Sequence, residues 1–442
     1  MYAWRWFAAL VVSLVAASAG WGQTALTEVL KPGDCFRYEI GMKLTGEMRF
    51  RKDAGTVPVK ILANATHAYP ERVLTASGSI VQKSARVYES AKVSITRGTD
   101  RSETTLRPAR KLIVAEWQKG QHLVYSPAGA LQRHELDLIS EHFDTLALAG
   151  ILPGKAVNVG DTWSLGNMEA QALCGLEGMT EQKIEGKFDK IVGDEATLTL
   201  AGTASGVEQG ALVKATVKAT AIFDVKAQRI AKLEWRQKSD RDQGPVSPAS
   251  TMEIEIGVAR KAIELPAELN DVALVSVPRD GTLVGPMVNL EYRDPKGHFN
   301  LVHTRDWHLT AFTGDHTVLR LLDRGDYVAQ VTVTPWTKAK KGEHLTPEQF
   351  KTAMNGTSSW KPEKELQSGE VPATDGRYAY RFSVQGQLDG VAVLQNFFLV
   401  AAPTGEQVVL TFTLPPRMAD KLGARDLSMA ASIEVPGAEE KK

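Results

Sequence analysis

Apolar and polar residues alternate along most of the chain from residue 24 to residue 263. In the longest run, residues 211–223, lysine and threonine mostly separate an apolar set at every second position: Val213, Ala215, Val217, Ala219, Ala221 and Phe223. A period of two residues places the two sets on opposite faces of a strand. Similar runs occur at 36–40, 230–235 and 252–258. Because no helical pattern separates these long strands, they predict antiparallel meanders.

Two segments of the same region have apolar spacing that favours helices. Residues 83–93 indicate a helix weakly, and a strand is the alternative. Residues 135–149 carry an apolar stripe at helical spacing, and Gly150 suits the position after the last helical residue. We therefore predict one or two helices within the β-rich region.

The alternating pattern breaks at Leu265-Pro266-Ala267-Glu268, where a second unit begins. Beyond a strand at 327–333, Thr346, Pro347 and Gln349 form the capping box of a helix that Asn355-Gly356 ends. Three strands are predicted at 378–384, 391–399 and 408–414, and a closing helix at 418–430. The second unit is therefore predicted to be an antiparallel sheet with two covering helices.

These elements together predict the α+β fold class. A large antiparallel β-rich N-terminal domain, with a half-barrel as one compatible form, precedes an antiparallel sheet flanked by helices. The predicted divisions are a signal peptide at 1–22, the β-rich domain at 24–263, a linker at 264–272, the α+β domain at 273–436 and a disordered tail at 437–442. A chain of 442 residues is long enough for a full core in each domain.

The first residues have the composition of a cleavable signal peptide. After Arg5 the chain is apolar to Val15 except for Ser13, and small residues offer cleavage after Ala19 or Gly22. The apolar run is shorter than the roughly 20 residues that a membrane-spanning helix needs. We therefore expect export to the periplasm, the cell surface or the exterior, with no stable membrane insertion after cleavage.

The charge and the cysteine content limit the classes of partner and the cellular compartments that we expect for this protein. The 52 basic and 52 acidic residues give a net charge of zero, whereas proteins that bind nucleic acid usually carry a basic excess. Nucleic acid is therefore not an expected partner. Cys35 and Cys174 are the only cysteines. An oxidising compartment permits a disulfide between them, and two buried free thiols are the alternative, because spacing alone does not establish the geometry of a bridge.

Motifs of the common enzyme chemistries are missing from the sequence. It contains no G-x-S-x-G, H-E-x-x-H, C-x-x-C, G-x-x-x-x-G-K-[ST] or G-x-G-x-x-G pattern. Hydrolases exist without such signatures, so a hydrolase with a site near His142 or His303 remains an alternative. We predict a non-enzymatic protein, with no catalytic, cofactor-binding or metal-binding residues and no cofactor.

Three clusters of polar residues are interpreted as structural or surface features. His298, His303 and His308, with His316 nearby, would lie roughly 17 Å apart on a strand, whereas zinc ligands converge within about 2 Å of one ion. The acidic residues of the predicted helix 135–149 indicate a solvated face. The 240–242 turn lacks most ligands of a calcium loop. The residues of the last two clusters are Asp137, Glu141, His142, Asp144, Asp240 and Asp242.

The element order of the second unit resembles that of the PsbP-like superfamily. The residues that carry the resemblance are 297–307, from Gly297 to Trp307, then Phe397-Phe398-Leu399-Val400 and the late Ile433. His303 and Thr304 stand where the family commonly has an aromatic residue and a proline. The resemblance implies a domain that binds or supports other proteins without catalysis.

The first unit resembles uncharacterised secreted bacterial proteins that are rich in long antiparallel strands. The resemblance rests on Leu152-Pro153-Gly154 followed by Val159-Gly160-Asp161-Thr162-Trp163. A LolA-like half-barrel, which cradles lipid, is one fold that such a pattern is compatible with. Architecture alone does not fix function.

We therefore expect an exported binding or scaffolding protein whose partner is another protein or an apolar small molecule. Trp307, Trp336 and Trp360 are candidates for a contact surface, although core packing explains most tryptophans. A second alternative is a carrier of an apolar ligand in the first domain. The small side chains between Ala215 and Ala221 predict either a helix lying close to the sheet or a cavity.

Overall fold

Long antiparallel strands dominate the computed structural model, which describes residues 22–52, 55–78, 80–118, 121–140, 143–279, 285–356 and 359–435. Among its described residues, the N-terminal part contains two short helices, α1 (Arg133–Ser140) and α2 (Asn167–Leu173), and two 3-10 helices, at Pro108–Arg110 and at Thr145–Ile151; the second is called the 3-10 helix below. Its strands are β1 (Thr24–Leu26), β2 (Cys35–Lys52), β3 (Gly55–Ser77), β4 (Ile80–Val87), β5 (Ser90–Arg97), β6 (Asp100–Thr105), β7 (Leu112–Gln118), β8 (Gln121–Tyr125), β9 (Leu131–Gln132), β10 (Lys155–Val157), β11 (Thr162–Ser164), β12 (Gly178–Val192), β13 (Glu195–Glu208), β14 (Ala211–Asp224), β15 (Arg229–Arg241) and β16 (Ala249–Ala262).

Thirteen of these strands form one sheet that forks at β3. Its main order is β11-β12-β13-β14-β15-β16-β2-β3-β4-β7-β8. The 23-residue strand β3 pairs with β5 through residues 61–68 and with β4 through residues 71–77, and β5 continues to β6. The fork gives the sheet two flaps beyond β3, and both flaps belong to the β-rich fold that the sequence predicts.

The alternation in the sequence corresponds to the two faces of this sheet. In β14 every apolar residue of the predicted set is buried, whereas the lysines and threonines between them are exposed. The predicted strands at 36–40, 230–235 and 252–258 lie in β2, β15 and β16. These positions confirm the strand prediction. A sheet with one buried face requires apolar residues at every second position, and the sequence has them.

A second, seven-stranded antiparallel sheet occupies the C-terminal part, in the order β19-β20-β21-β25-β24-β23-β22. Apolar clusters cover both of its faces; α4 contributes Phe350 to one cluster, and α5 and α6 contribute Leu422 and Met429 to the other. The elements here are α3 (Gly285–Val288), β17 (Leu290–Arg293), β18 (Asn300–His303), β19 (Trp307–Phe312), β20 (Thr317–Asp323), β21 (Asp326–Trp336), α4 (Pro347–Asn355), β22 (Trp360–Glu370), β23 (Tyr378–Leu388), β24 (Val391–Ala401), β25 (Gln407–Leu414), α5 (Ala419–Leu422) and α6 (Arg425–Ala431).

The capping prediction for α4 is confirmed in detail. The Thr346 hydroxyl accepts a hydrogen bond from the Gln349 backbone amide, and the Gln349 side chain accepts one from the Thr346 amide. Pro347 occupies the first helical position, where its missing N–H has no intrahelical partner to lose. Local capping chemistry therefore sets the start of this helix.

Three helix predictions are wrong or incomplete. Residues 83–93 form parts of β4 and β5, so the strand alternative holds. The segment 135–149 divides into α1 and the 3-10 helix, because the Asp144 carboxylate caps a new start by accepting from the Leu146 amide at 2.9 Å. The closing helix divides into α5 and α6 at Gly423, whose φ of 57° is left-handed.

The segment predicted as a linker packs on the convex side of the first sheet. Leu269 is fully buried in a cluster with Leu274, Val277 and residues of β4, β7 and β8. Downstream, β17 joins β9 of the N-terminal part in parallel, and β18 completes this small sheet. A small third sheet therefore combines strands of the N-terminal and C-terminal parts, and the domain boundary at 264–272 stays a prediction.

Several predictions fall on residues outside the described ranges. They concern the signal peptide up to residue 21, Glu141, His142, the 437–442 tail and the residues that the seven ranges omit. Within those ranges, no helix is both long and apolar enough to cross a membrane.

Candidate ligand-binding cavity

The concave face of the thirteen-stranded sheet divides into two halves that differ in what covers them. We call the part under α2 and the 3-10 helix the packed half and the part centred on Leu44, Ala63 and Ile254 the open half. Register places Leu44 beside Ile254 on one side and beside Ala63 on the other. The two halves are parts of one continuous sheet, so only their cover differs.

Large side chains fill the packed half. Trp235 of β15 is fully buried, and the Phe143 ring meets it edge-on with centroids 6.0 Å apart. Leu198, Phe188 and Phe223 belong to the same cluster and are also fully buried. The 3-10 helix packs against β4, β15 and α2. This half therefore has the dense interior that is usual for folded proteins.

Two buried ion pairs lie within the packed half. Arg260 donates to the Glu28 carboxylate at 2.6 Å and to the Ile230 carbonyl at 3.0 Å. Arg86 donates to Glu71 at 2.6 Å and to the Thr145 hydroxyl at 2.8 Å. Buried charges are tolerated where they are paired and hydrogen-bonded, as these are. The pairs thus tie the 3-10 helix and the N-terminal segment to the sheet.

The open half borders a cavity of about 950 Å³. Inward-facing apolar positions of five strands line it: Met42, Leu44, Met48, Ile61, Ala63, Ala65, Val93, Ile95, Val213, Met252 and Ile254. Met42, Leu44, Ala63, Ala65, Val93 and Ile95 are only half-buried although they face the concave side. Their exposure is explained by the cavity, and the volume lies within the range of roughly 300–1,000 Å³ that ligand pockets have.

Gln237 of β15 marks the border between the halves. Its side chain accepts from the Trp235 indole at 3.2 Å and donates to the Cys174 carbonyl at 3.1 Å and to the Ser239 hydroxyl at 2.9 Å. The end of α2 is therefore fixed to the sheet at this line. Burial raises the pKa of the Cys174 thiol to about 12, so this cavity-lining cysteine stays protonated at neutral pH.

The wall is polar on the β5–β6 side, where Arg97, Ser102, Glu103, Thr104 and Thr105 line it. Further walls come from α1 and from the C-terminal part. His134, Asp137 and Leu138 of α1 line the cavity, and so does Leu309 of β19. Burial lowers the pKa of the His134 imidazole. Arg133 donates to the carbonyls of Arg305 and Trp307 at 2.6 and 3.0 Å, which holds the start of β19 against α1. The second sheet therefore contributes directly to the cavity wall.

The four histidines considered as metal ligands lie in separate environments. His303 is buried, with Nδ1 2.8 Å from the Thr304 carbonyl oxygen, and burial lowers its pKa to about 4. Burial likewise lowers the pKa of His308 to about 4. His298 lies 2.8 Å from the Asp294 carboxylate, and His316 contacts the Thr313 hydroxyl. Among the described residues, no group of three or more potential ligands is arranged around one point.

The two acidic clusters do not have the geometry expected from the sequence. Because α1 ends at Ser140, Asp144 does not share a helical face with Asp137; it caps the 3-10 helix and lies 3.5 Å from the His122 imidazole. Asp240 belongs to β15 rather than to a turn, and its carboxylate accepts from the Thr251 hydroxyl at 2.8 Å. Among the described residues of the two clusters, Asp137 lines the cavity, whereas Asp144, Asp240 and Asp242 do not.

The structure decides between the alternatives for the three tryptophans and for the two cysteines. Trp307 and Trp360 are 1% and 4% exposed and belong to the two cores of the second sheet. Trp336 is half-buried and packs against the Phe350 cluster. Cys35 and Cys174 are free and buried, so they form no bridge. Core packing therefore explains Trp307 and Trp360, and the free-thiol alternative holds for the two cysteines.

Of the two explanations of the small side chains in β14, close cover fits Ala219, whereas none of Ala215, Ala219 and Ala221 lines the cavity. Ala219 pairs with Trp235 and Leu200 inside the packed half, where cover lies close to the sheet. Val213, six residues earlier, lines the cavity. The sequence interpretation missed Met42, Leu44 and Met48 on β2. The sequence did contain a signal for these residues. On the neighbouring strand β3, the apolar residues Ile61, Ala63 and Ala65 occupy every second position, as the apolar residues of β14 do.

Comparisons with known proteins give distant structural similarities. No protein-family model matches the sequence, and no curated protein does either. PsbP from Synechocystis sp. PCC 6803 is 14% identical with a TM-score of 0.27, over 36% of this chain and 98% of that chain. The Ran-binding protein Mog1p from Saccharomyces cerevisiae is 15% identical with a TM-score of 0.27, over 34% of this chain and 97% of that one.

Lipovitellin is similar to a larger share of the chain. It is 8% identical with a TM-score of 0.30, over 54% of this chain and 26% of its own length. All three TM-scores are below 0.5, so these similarities indicate nothing about the function of this chain.

Proposed function

We propose that the N-terminal domain binds the apolar part of a small molecule in the open half of its sheet, and that the protein is an exported, non-catalytic binding protein. The observation that carries the proposal is the double row of inward-facing, half-buried apolar residues on β2, β3 and β5. Leaving such surface in contact with water costs about 25 cal/mol per Å², and an apolar ligand removes that cost.

The C-terminal domain has a supporting role in this proposal. Its PsbP-like arrangement of sheet and helices would position β19, whose Leu309 is 44% exposed and lines the cavity. Arg305 donates to the Val124 carbonyl at 2.7 Å and to the Val288 carbonyl at 2.6 Å, which fastens the segment before β19 to the first sheet. The domain thus acts as a wall of the binding site rather than as an independent surface.

The alternative of a hydrolase has no comparable support in the described residues. His303 is buried and His122 is half-buried, neither lines the cavity, and burial lowers the pKa of each imidazole. His134 and Asp137 do line the cavity, but the cavity-lining thiol of Cys174 has a raised pKa. An activated nucleophile requires the opposite shift.

The binding proposal is tested by titrating the exported protein with 1-aminoanthracene, a neutral apolar fluorophore. Saturable binding at one site is expected. Ala63→Trp and Ala65→Trp fill the cavity and should weaken binding at least tenfold, whereas Leu62→Trp, on the convex face of the same strand, should not. Fluorophore binding that is absent, or equally strong in all variants, would contradict the proposal.

Export has its own test. N-terminal sequencing of the mature protein should begin after Ala19 or Gly22. A membrane-bound product that retains Met1 would contradict this part of the proposal.

A further inference from the structure

The hairpin of β2 and β3 is longer than the strands on either side of it. β2 pairs with β16 only as far as Arg49, and β3 pairs with β5 only from Ile61 onward. β2 and β3 continue to pair with each other as far as Lys52 and Gly55. Three residue pairs therefore lie beyond Arg49, a length of about 10 Å at about 3.3 Å per residue. We call residues 48–51 and 56–60 the hairpin end.

The apolar row of the open half continues onto the hairpin end. Met48 and Ile61 line the cavity, and the next positions on the same face are Phe50 on β2 and Val59 and Val57 on β3. Phe50 pairs with Val57 in register, and each is 40% exposed. Neither residue lines the cavity. Apolar side chains therefore follow one another from the cavity wall to an exposed pair outside it.

Basic residues occupy the opposite face of the hairpin end. They are Arg49, Arg51 and Lys60, which alternate with the apolar row. Arg49 lies 3.3 Å from the Glu47 carboxylate, whereas Arg51 and Lys60 are exposed and form no ion pair within the described part of the chain. Residues 47–60 contain four basic and two acidic residues, in a chain whose net charge is zero. The hairpin end is therefore locally positive.

The two faces together determine which partner fits. Proline and charged residues on an edge obstruct pairing with another strand, so Pro58, Arg49 and Arg51 argue against a second copy that would extend the sheet. A lipid surface needs no strand pairing. Apolar side chains enter the boundary between headgroups and acyl chains to a depth of about 5–10 Å, and basic side chains attract anionic headgroups. The hairpin end has the length and both kinds of side chain.

We infer that the hairpin end docks on an anionic phospholipid surface, with Phe50 and Val57 at the acyl chains and Arg51 and Lys60 at the phosphates. The long stems of arginine and lysine lie along apolar surface while their charged ends reach polar groups. In this position the apolar row connects the lipid with the cavity. The inference goes beyond the proposed function, because the surface lies outside the cavity and docking requires no ligand there.

The experiment is co-sedimentation of the exported protein with vesicles of phosphatidylcholine, either alone or mixed with phosphatidylglycerol. Binding to the mixed vesicles should be about tenfold tighter and should weaken as added salt screens the charges. Phe50→Ser combined with Val57→Ser should lower the affinity for the mixed vesicles about tenfold, because apolar area no longer leaves water. Arg51→Gln and Lys60→Gln should each lower it about fivefold, the value of one basic residue near an anionic surface.

Control variants test whether position matters. Val391→Ser removes a side chain that is 63% exposed at the start of β24, and Lys218→Gln removes an exposed charge from β14. Both should leave vesicle affinity unchanged. Arg51→Gln and Lys60→Gln replace exposed side chains, so they report on docking even if the double serine variant is destabilised.

Equal vesicle binding by the wild type and all hairpin variants, or no binding to the mixed vesicles, would overturn the inference. So would self-association of the protein that Phe50→Ser abolishes, since the surface would then belong to a second copy. Titration with 1-aminoanthracene in the absence of vesicles tests the proposed function separately. The hairpin variants should bind the fluorophore like the wild type, because none of the substituted residues lines the cavity.

Discussion

The packed and open halves of the first sheet share strands, register and alternation, yet one is a core and the other is a cavity wall. In the packed half, Trp235 and Leu198 are fully buried under helical cover that buried ion pairs hold in place. In the open half, Leu44 and Ala63 face the same side and remain half-exposed. Strand geometry therefore decides which side chains point inward, and the cover alone decides whether they stabilise the fold or are available to a ligand.

The largest expected difference comes from one substitution made in both halves. Leu198→Ala removes a fully buried side chain from the packed half and should cost about 2–5 kcal/mol in the free energy of unfolding. Leu44→Ala in the open half should cost about 1 kcal/mol or less, because part of the side chain already contacts the cavity. Denaturant unfolding of both variants measures the difference. Equal losses would remove the distinction between the halves.

The reverse substitution sharpens the comparison. Ala219→Leu adds volume beside Trp235 and should destabilise the protein by about 1–3 kcal/mol through overpacking. Ala63→Leu adds the same volume at the cavity wall, where stability should hold or rise while affinity for 1-aminoanthracene falls. Thermal unfolding and fluorophore titration of the two variants give the result. A clear loss of stability in Ala63→Leu would mean that the open half is also tightly packed.

A pH dependence should arise from His67 in the packed half. Burial, assisted by the Arg86 charge, lowers the pKa of this imidazole to about 4. Since the ordinary value is about 6.5, the unfolded chain binds the proton first, and stability present above pH 6.5 is lost as the pH falls toward 4. At pH 5 the loss is about 2 kcal/mol from this residue.

His67→Phe keeps a ring beside Tyr88 and removes the titration. The fall in unfolding free energy between pH 7 and pH 5 should therefore be about 2 kcal/mol smaller in the variant than in the wild type. If the unfolding free energies of the two proteins change with pH in the same way, the pKa of His67 is not lowered in the folded protein, which would contradict this prediction.

The sequence predicts much of the strand framework and little of the cavity. Alternation located β14 and β16, and the capping chemistry of Thr346 and Gln349 located α4, because both signals are local. Apolar spacing failed at 83–93 and at 135–149, since the same residues suit a strand or a helix until tertiary contacts decide. Asp144 illustrates the point, because its role as a cap depends on where α1 ends.

The sequence could predict which side chains face the cavity side of the sheet, but not that a cavity lies there. Ala215 and Ala219 indicated a small-residue face, but alternation does not report what lies opposite that face. Arg241 and Ser247, which also line the cavity, come together only through the β15–β16 connection. Sequence spacing carries no information about that meeting.

The central claim is that the open half, and no other part of the protein, receives an apolar ligand. Three methionines line the cavity, Met42, Met48 and Met252, whereas the other methionines within the described ranges lie elsewhere: Met168, Met179, Met287, Met354, Met418 and Met429. Methyl-¹³C-methionine NMR reports on all of them in one titration, with assignments from single Met→Leu variants.

On addition of 1-aminoanthracene, the account predicts that the signals of Met42, Met48 and Met252 shift together and saturate together while the others stay in place. Shifts confined to Met418 and Met429 of the C-terminal domain, or no shift at a saturating concentration of the fluorophore, would contradict it.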